Sequence, residues 1–256
     1  MDKASPSVQL FLPVQTRLEN RFEHYLGDAN AKVVDSLKSF IEKKAETLLF
    51  LVGAESLGKT HLLSASVHYF DALNSAESSS DSAAYFSLAE LIDIPLEPAT
   101  LSELSTFFES FDFLALDDLD LWLKSVEAIS EDALYIAESF LFGLFNYFKQ
   151  HDKQLMIASK SVPSRLNIHL KDLQSRLASG LLVSLTKLDD QEKNQLIRAL
   201  AQLKGFLLDD EVSAFILKRS GRDIPNLLNV LDKLDKASLI EKRRLTVPFV
   251  KKTLNW

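Results

Sequence analysis

The chain has 256 residues, 46% of them hydrophobic, which is enough for one large domain or a large and a small domain with buried cores. It contains no cysteine, which excludes disulfides and thiolate metal sites, and its five histidines lack metal-ligand spacing. The formal net charge of -7 argues against bulk nucleic acid as the main partner, because such binding usually requires a basic surface. A signal peptide and an apolar run of membrane-spanning length are both absent from the sequence, so neither export nor membrane insertion is expected.

Five short apolar runs alternate with helical segments along the first two thirds of the chain. Apolar periodicity predicts helices over residues 61–73 and 133–150, and Ser130 is the expected N-cap of the second helix. Alternation of this kind predicts a parallel sheet with crossover helices. The predicted strands lie at residues 48–52, 83–88, 111–116, 155–158 and 181–185.

The strand pattern stops near Asp189, and the rest of the chain is predicted to be helical. Asp189 and Glu192 form a capping-box pattern for a helix that reaches Lys204. Periodic apolar residues predict three more helices, over 210–219, 226–241 and 247–254. We therefore expect an α/β domain at residues 21–187 and a small all-helical domain at 188–256, with residues 1–20 as a separate N-terminal segment.

The sequence GAESLGKT at residues 53–60 directly follows the first predicted strand and precedes a predicted helix. Gly53 and Gly58 allow backbone N–H groups to turn inward around a triphosphate, and the helix N-terminus adds partial positive charge. Lys59 would neutralise the outer phosphates, and the Thr60 hydroxyl would ligate Mg²⁺. We interpret this segment as a nucleotide-binding loop rather than a structural glycine turn.

The third predicted strand is followed by two carboxylates, Asp117 and Asp118. On its own, a pair of aspartates after a strand usually marks a turn. Because this pair follows a phosphate loop, we favour a catalytic role, in which Asp117 belongs to the Mg²⁺ shell and Asp118 orients the attacking water. Ser159 ends the fourth predicted strand, where a γ-phosphate sensor and a plain strand end are equally compatible with the sequence. Arg176, on a helix before the fifth run, is either a surface residue or an arginine finger acting on a neighbouring subunit.

Read together, these segments resemble the DnaA/Hda family of AAA+ ATPases in bacterial replication initiation, nearly end to end. The resemblance implies an AAA+ P-loop NTPase domain followed by a helical lid, with ADP or ATP and Mg²⁺ as ligands. It implies nucleotide contacts for Tyr25 in an adenine-side segment, for His61 after the phosphate loop, and for Ser159 near the sensor-1 region. The segments that carry the resemblance are residues 25–30, 51–63, 116–119, 161–167, 175–177, 205–206, 218–219, 231–238 and 246–250.

One position departs from the family pattern. Pro225 stands where the family has its sensor-2 arginine, and proline carries neither a charge nor a donor. Arg222 is one turn earlier and is the candidate to substitute for it, although Pro225 is expected to open a helix there. Weak ATP hydrolysis by the chain itself is therefore expected.

Near its start the chain resembles the short peptide by which members of this family bind the sliding clamp of DNA polymerase III. A glutamine followed by spaced apolar side chains suits a surface groove, although a stray first strand has the same pattern. The residues concerned are Gln9, Leu10, Phe11, Leu12, Pro13 and Val14.

The function that the resemblance implies is regulation of replication initiation in the bacterial cytoplasm, at the replisome and nucleoid. The chain would dock on the DNA-loaded clamp, present Arg176 to ATP bound by DnaA, and stimulate its hydrolysis. DNA would be reached through the clamp alone, since the resemblance ends with the lid, and oligomerisation is compatible with this role. Two alternatives stay open: a self-assembling ATPase or helicase loader, and a clamp-tethered adaptor with no catalytic role.

Overall fold

In a computed structural model, the protein is described over residues 21–25, 28–76, 82–220, 224–241 and 245–256. The predicted clamp-binding peptide, Gln9 to Val14, lies outside these ranges, and so does Arg222. The side chains of Asp28, Asn30 and Pro225 are likewise outside the description. Predictions about these residues stay predictions.

A five-stranded parallel sheet forms the centre of the first domain, with the strand order β2-β3-β4-β1-β5. The predicted α/β class is therefore confirmed. In this order β1 lies between β4 and β5, and the ends of β1 and β4 are level because Val52 pairs with Ser159. The strands are β1 (Leu48–Val52), β2 (Ala83–Ser87), β3 (Phe113–Asp117), β4 (Gln154–Ser159) and β5 (Leu181–Ser184).

Helices cover both faces of the sheet, which explains why β1 is a continuous apolar run rather than an alternating one. Leu49 and Leu51 pack in the cluster that includes α2, whereas Phe50 packs in the cluster that includes α5. The helices of this domain are α1 (Asp28–Lys43), α2 (Lys59–Ala76), α3 (Pro98–Glu109), α4 (Leu119–Glu127), α5 (Glu131–Gln150) and α6 (Lys171–Ser179). Within the described ranges, no helix has the length and apolar character needed to cross a bilayer.

The second part of the chain is helical and has its own apolar cluster. The predicted capping box is confirmed, since Asp189 accepts from the Glu192 backbone N–H and Glu192 accepts from that of Asp189. Its helices are α7 (Asp190–Leu203), α8 (Asp210–Arg219), α9 (Ile224–Glu241) and α10 (Val247–Leu254). The residues buried in this cluster include Ile197, Ala201, Ile216, Leu231 and Val250.

Several predicted boundaries differ from the observed ones by one to three residues, and two of these differences are informative. The third strand begins at Phe113 rather than at Phe111, whose backbone N–H bonds to Phe108 O and whose ring packs edge-on against Phe107. Phe111 therefore completes the end of α3 instead of pairing in the sheet. Helix α9 begins at Ile224, two residues earlier than predicted, and holds Pro225 in its first turn, where proline is tolerated.

Candidate nucleotide site

The phosphate loop joins β1 to α2 and requires glycine at two positions. Gly53 donates its N–H to Ser159 O at 3.1 Å, and a β-carbon there would lie 2.8 Å from Leu185 Cβ. Gly58 has a φ of +88°, and a β-carbon there would lie 2.7 Å from the Tyr25 ring. Both glycines are therefore needed for close packing, and Gly58 is needed for its backbone conformation as well.

Lys59 is the first residue of α2, and its ammonium folds back over the loop. Its side chain is buried, and Nζ donates to Gly53 O at 2.8 Å and to Ala54 O at 3.0 Å. An ammonium has three donor hydrogens, so two loop contacts leave the group able to bond a phosphate oxygen. The carbonyl groups of the loop thus hold the Lys59 ammonium where the sequence predicts a positive charge for the phosphates.

Thr60 and Asp117 meet although they are far apart in sequence. The Thr60 hydroxyl donates to Asp117 Oδ2 at 2.6 Å, and Asp117 Oδ1 accepts from the Asp118 backbone N–H at 2.8 Å. Burial raises the pKa of the Asp117 carboxyl, and the hydrogen bond from Thr60 opposes that rise. Burial and the nearby Asp117 charge also raise the pKa of the Tyr85 hydroxyl, which stays protonated and lies 3.4 Å from Asp117 Oδ2.

This pair of oxygen ligands fits a hard divalent cation. Mg²⁺ prefers one or two protein oxygens together with phosphate and water oxygens, and the Thr60 hydroxyl and Asp117 carboxylate supply that number. Among the described residues, no group of three or more His, Asp or Glu side chains is arranged to hold a metal. A cation bound by Thr60 and Asp117 would take the rest of its shell from phosphate and water oxygens.

Asp118 caps α4 in a left-handed conformation, with φ of 57° and ψ of 34°. Its Oδ2 accepts from the Ser87 hydroxyl at 2.9 Å. Aspartate tolerates this region better than most residues, and such conformations cluster at functional sites. Sequence reasoning missed Ser87, although its position at the end of a predicted strand was a signal that could have found it.

Ser159 lies at the end of β4 with its side chain fully buried. Its hydroxyl donates to Asp120 Oδ1 at 3.1 Å, and the same oxygen accepts from the Lys160 backbone N–H at 3.0 Å. The Lys160 ammonium pairs with Glu55 in the phosphate loop, and this contact lowers the pKa of Glu55. The structure thus adds Asp120, Lys160 and Glu55 to the surroundings of the site. Glu55 occupies a variable position of the phosphate-loop motif, and no motif had marked Asp120 or Lys160.

Tyr25 and His61 stack beside the phosphate loop, with ring centroids 5.8 Å apart and an interplanar angle of 27°. The Tyr25 hydroxyl donates to Leu57 O at 2.9 Å, and burial raises its pKa to about 12. His61 Nε2 lies 2.9 Å from Arg21 O. Tyr25 and His61, two of the residues that the family resemblance assigned to the nucleotide, therefore lie together at the loop.

Arg176 lies apart from this group, exposed in the last turn of α6. Its guanidinium carbon is 5.8 Å from the centroid of the Phe145 ring in α5. The structure thus brings the predicted loop, carboxylate, serine and adenine-side residues to one edge of the sheet, and it places Arg176 on a separate surface helix.

Two family profiles match the chain. That of the bacterial DnaA ATPase domain matches residues 15–184, and that of the Hda lid domain matches residues 190–254. The chain belongs to the DnaA/Hda family of AAA+ proteins. A family relative in Haemophilus influenzae, described as an uncharacterized protein, is 33% identical over 250 residues, which are 96% of this chain and 98% of the relative.

Solved structures share the family's fold at low sequence identity. Domain III of the Thermotoga maritima replication initiation protein DnaA has a TM-score of 0.74 at 21% identity, covering 92% of this chain and 95% of that chain. Aquifex aeolicus DnaA bound to AMPPCP has a TM-score of 0.67 at 24% identity, covering 87% and 66%. The Thermotoga maritima RuvB Holliday junction branch migration motor has a TM-score of 0.62 at 18% identity, and the match covers 94% of this chain and 73% of that chain. The predicted AAA+ fold is confirmed, and the family membership relates the chain to replication initiation.

Proposed function

We propose that the chain is a nucleotide-bound regulator of replication initiation that presents Arg176 to ATP held by DnaA and stimulates its hydrolysis. The observation that carries this proposal is the location of Arg176, exposed on α6 and separate from the chain's own phosphate loop. An arginine finger that acts in trans must lie on a surface that a partner can approach. Its positive charge would stabilise the negative charge that develops on the transferred phosphoryl group.

The chain's own site is proposed to hold ADP or ATP with Mg²⁺. The phosphate loop would surround the phosphates with backbone N–H groups, and the Lys59 ammonium would neutralise their charge. Thr60 and Asp117 would hold the cation, which supplies charge neutralisation between the phosphates. Tyr25 and His61 would lie on the adenine side, and Arg222 would contact the phosphates from the lid.

The N-terminal peptide, Gln9 to Val14, is proposed to dock on the DNA-loaded sliding clamp. This part of the proposal rests on the sequence pattern, in which a glutamine precedes spaced apolar side chains suited to a groove. Docking would raise the effective concentration of the chain near DnaA on the same DNA. DNA contact would then be made through the clamp.

The test is ATP hydrolysis by DnaA in the presence of the chain and DNA-loaded clamp. Arg176→Ala should reduce stimulation by about 10³-fold or more, while clamp binding in a pull-down is unchanged. Gln9→Ala should reduce clamp binding and stimulation together. Lys171→Ala removes another exposed cation from α6 and is the matched control, expected to behave like wild type. Full stimulation by Arg176→Ala would eliminate the arginine-finger role.

A second candidate is a self-assembling ATPase in which Arg176 completes a site on the next identical subunit. The contact between Thr60 and Asp117, with Asp118 beside it, favours this candidate because the residues proposed to bind the chain's own metal and water lie together. Turnover by the isolated chain that rises steeply with its concentration, and is lost in Arg176→Ala, would support self-assembly over regulation of DnaA.

A further inference from the structure

The helix that carries Arg176 is anchored at its start by a buried carboxylate. Glu138, in α5, is fully buried, and its two oxygens accept the backbone N–H groups of His169 at 2.9 Å and Leu170 at 2.6 Å. Leu170 immediately precedes α6, and its own side chain makes no capping hydrogen bond. Bonds from N–H groups to an ionised carboxylate are stronger than neutral ones, so Glu138 fixes the backbone where α6 begins.

A second contact from the same helix lies near the other end of α6. Phe145 follows Glu138 by two helical turns on α5 and therefore lies on the same face. Its ring centroid is 5.8 Å from the Arg176 guanidinium, within the range of a cation–π contact. Between the two contacts Leu173 is buried in the apolar cluster that α5 shares. Helix α5 thus holds α6 before its first turn and at its last.

The burial of Glu138 calls for a reason beyond packing. Among the described residues, the buried carboxylates are Asp117, which belongs to the nucleotide site, and Glu138, which does not. A buried charge carries a large desolvation penalty unless hydrogen bonds compensate it. An apolar side chain would avoid that penalty but would leave the N–H groups of His169 and Leu170 without this acceptor. What a carboxylate adds is direction, because it fixes two adjacent N–H groups at defined distances.

We propose that Glu138 is a positioning residue for Arg176. By fixing the backbone at residues 169 and 170, its carboxylate sets the location and direction of α6. The Phe145 ring then sets the position of the Arg176 guanidinium at the end of that helix. This inference rests on the proposed function, in which Arg176 acts on ATP bound by DnaA. A misplacement of about 1 Å at a reacting centre can lower a rate by about 10²-fold. Loss of Glu138 should therefore lower the rate of hydrolysis rather than the affinity between the partners.

The experiment compares wild type with Glu138→Ala, Glu138→Gln and Phe145→Leu, using the full chain, DNA-loaded clamp and ATP-bound DnaA. The maximal rate, the half-saturating concentration, the melting temperature and the affinity for a fluorescent ADP analogue are measured for each. Glu138→Ala should lower the maximal rate at least about tenfold with the half-saturating concentration and ADP affinity unchanged. Glu138→Gln keeps one acceptor oxygen, so its maximal rate should lie between those of Glu138→Ala and wild type. Glu131→Gln, the same change at an exposed position of α5, should match wild type.

A double variant separates positioning from a general effect on stability. If Glu138 acts through Arg176, the variant with Glu138→Ala and Arg176→Ala should be no slower than Arg176→Ala alone, because the two residues work as a unit. Folded Glu138 variants with maximal rates within about twofold of wild type would overturn the proposal, and so would additive losses in the double variant. If Glu138→Ala does not fold, Glu138→Gln and Phe145→Leu decide the same question. Unchanged stimulation by Arg176→Ala would instead refute the proposed function itself.

Discussion

Gly58→Ala should destabilise the α/β domain and weaken nucleotide binding, because the phosphate loop has no room for a β-carbon there. Gly58 has a φ of +88°, and the added carbon would lie 2.7 Å from Cε2 and 3.5 Å from Cδ2 of Tyr25. The Tyr25 ring stacks on His61, and its hydroxyl bonds to Leu57 O. The ring must therefore move, and these contacts change with it.

The expected loss of stability has two main sources. A left-handed backbone conformation costs an alanine about 1–2 kcal/mol relative to glycine. Displacing the Tyr25 ring also breaks the hydrogen bond from its hydroxyl to Leu57 O, which contributes about 1 kcal/mol. The free energy of unfolding should therefore fall by about 2–3 kcal/mol. The affinity for nucleotide should fall as well, because the backbone N–H groups of the loop move with Gly58.

Gly143→Ala is the matched control, since it is the same substitution at a glycine with free space. Gly143 lies inside α5, and among the described residues a β-carbon there meets no atom within 4 Å beyond its chain neighbours and the surrounding helix backbone. Alanine in a helix interior should raise the free energy of unfolding by about 0.5–1 kcal/mol. Urea unfolding followed by circular dichroism, with titration of a fluorescent ADP analogue, measures both effects.

The Tyr25 ring itself provides the decisive comparison. On a Tyr25→Ala background the steric part of the Gly58→Ala effect is absent, so the substitution should be less destabilising than it is in wild type. An equal effect on both backgrounds would show that the ring is not the obstacle. A Gly58→Ala protein with wild-type stability and nucleotide affinity would refute the geometry of the loop described above.

Three further predictions concern the site and the lid. Lys59→Ala removes the buried ammonium and should abolish binding of the ADP analogue, so retained affinity would count against the phosphate-loop role. The raised pKa of Asp117 means that the folded state holds its proton more strongly than the unfolded state, so its contribution to stability falls as pH rises through the folded pKa. Asp117→Asn should therefore stabilise the protein more at about pH 7 than at about pH 4 in urea unfolding, and a constant difference would contradict this cause. Asp189→Ala should lower the free energy of unfolding of the lid by about 1 kcal/mol without changing nucleotide affinity, since it removes the N-cap of α7.

Local patterns determined much of the architecture. The apolar run at Leu48–Val52 is confirmed as β1 with both bounds as predicted, and the capping box at Asp189 and the helix at Asp210–Arg219 are confirmed as well. These features depend on residues within a few positions of one another, so the sequence contains the information that specifies them. Helices α1, α3 and α4 were not predicted, and Phe111 was assigned to a strand although it packs at the end of α3.

The partners of the site residues depended on the tertiary structure. Ser87 bonds Asp118 because β2 and β3 are neighbours in the sheet, and Ser159 bonds Asp120 because α4 begins at the end of β3, which pairs with β4. Glu138 is one of several acidic residues in the sequence, and only the packing of α6 against α5 places its carboxylate at His169 and Leu170. The sequence by itself located the five strands and most of the helices, and it marked the phosphate-loop and carboxylate residues that we propose to act on a nucleotide. Strand order and helix packing decided which distant side chains meet, because hydrogen bonds between residues thirty or more positions apart require the packed arrangement of the elements that carry them.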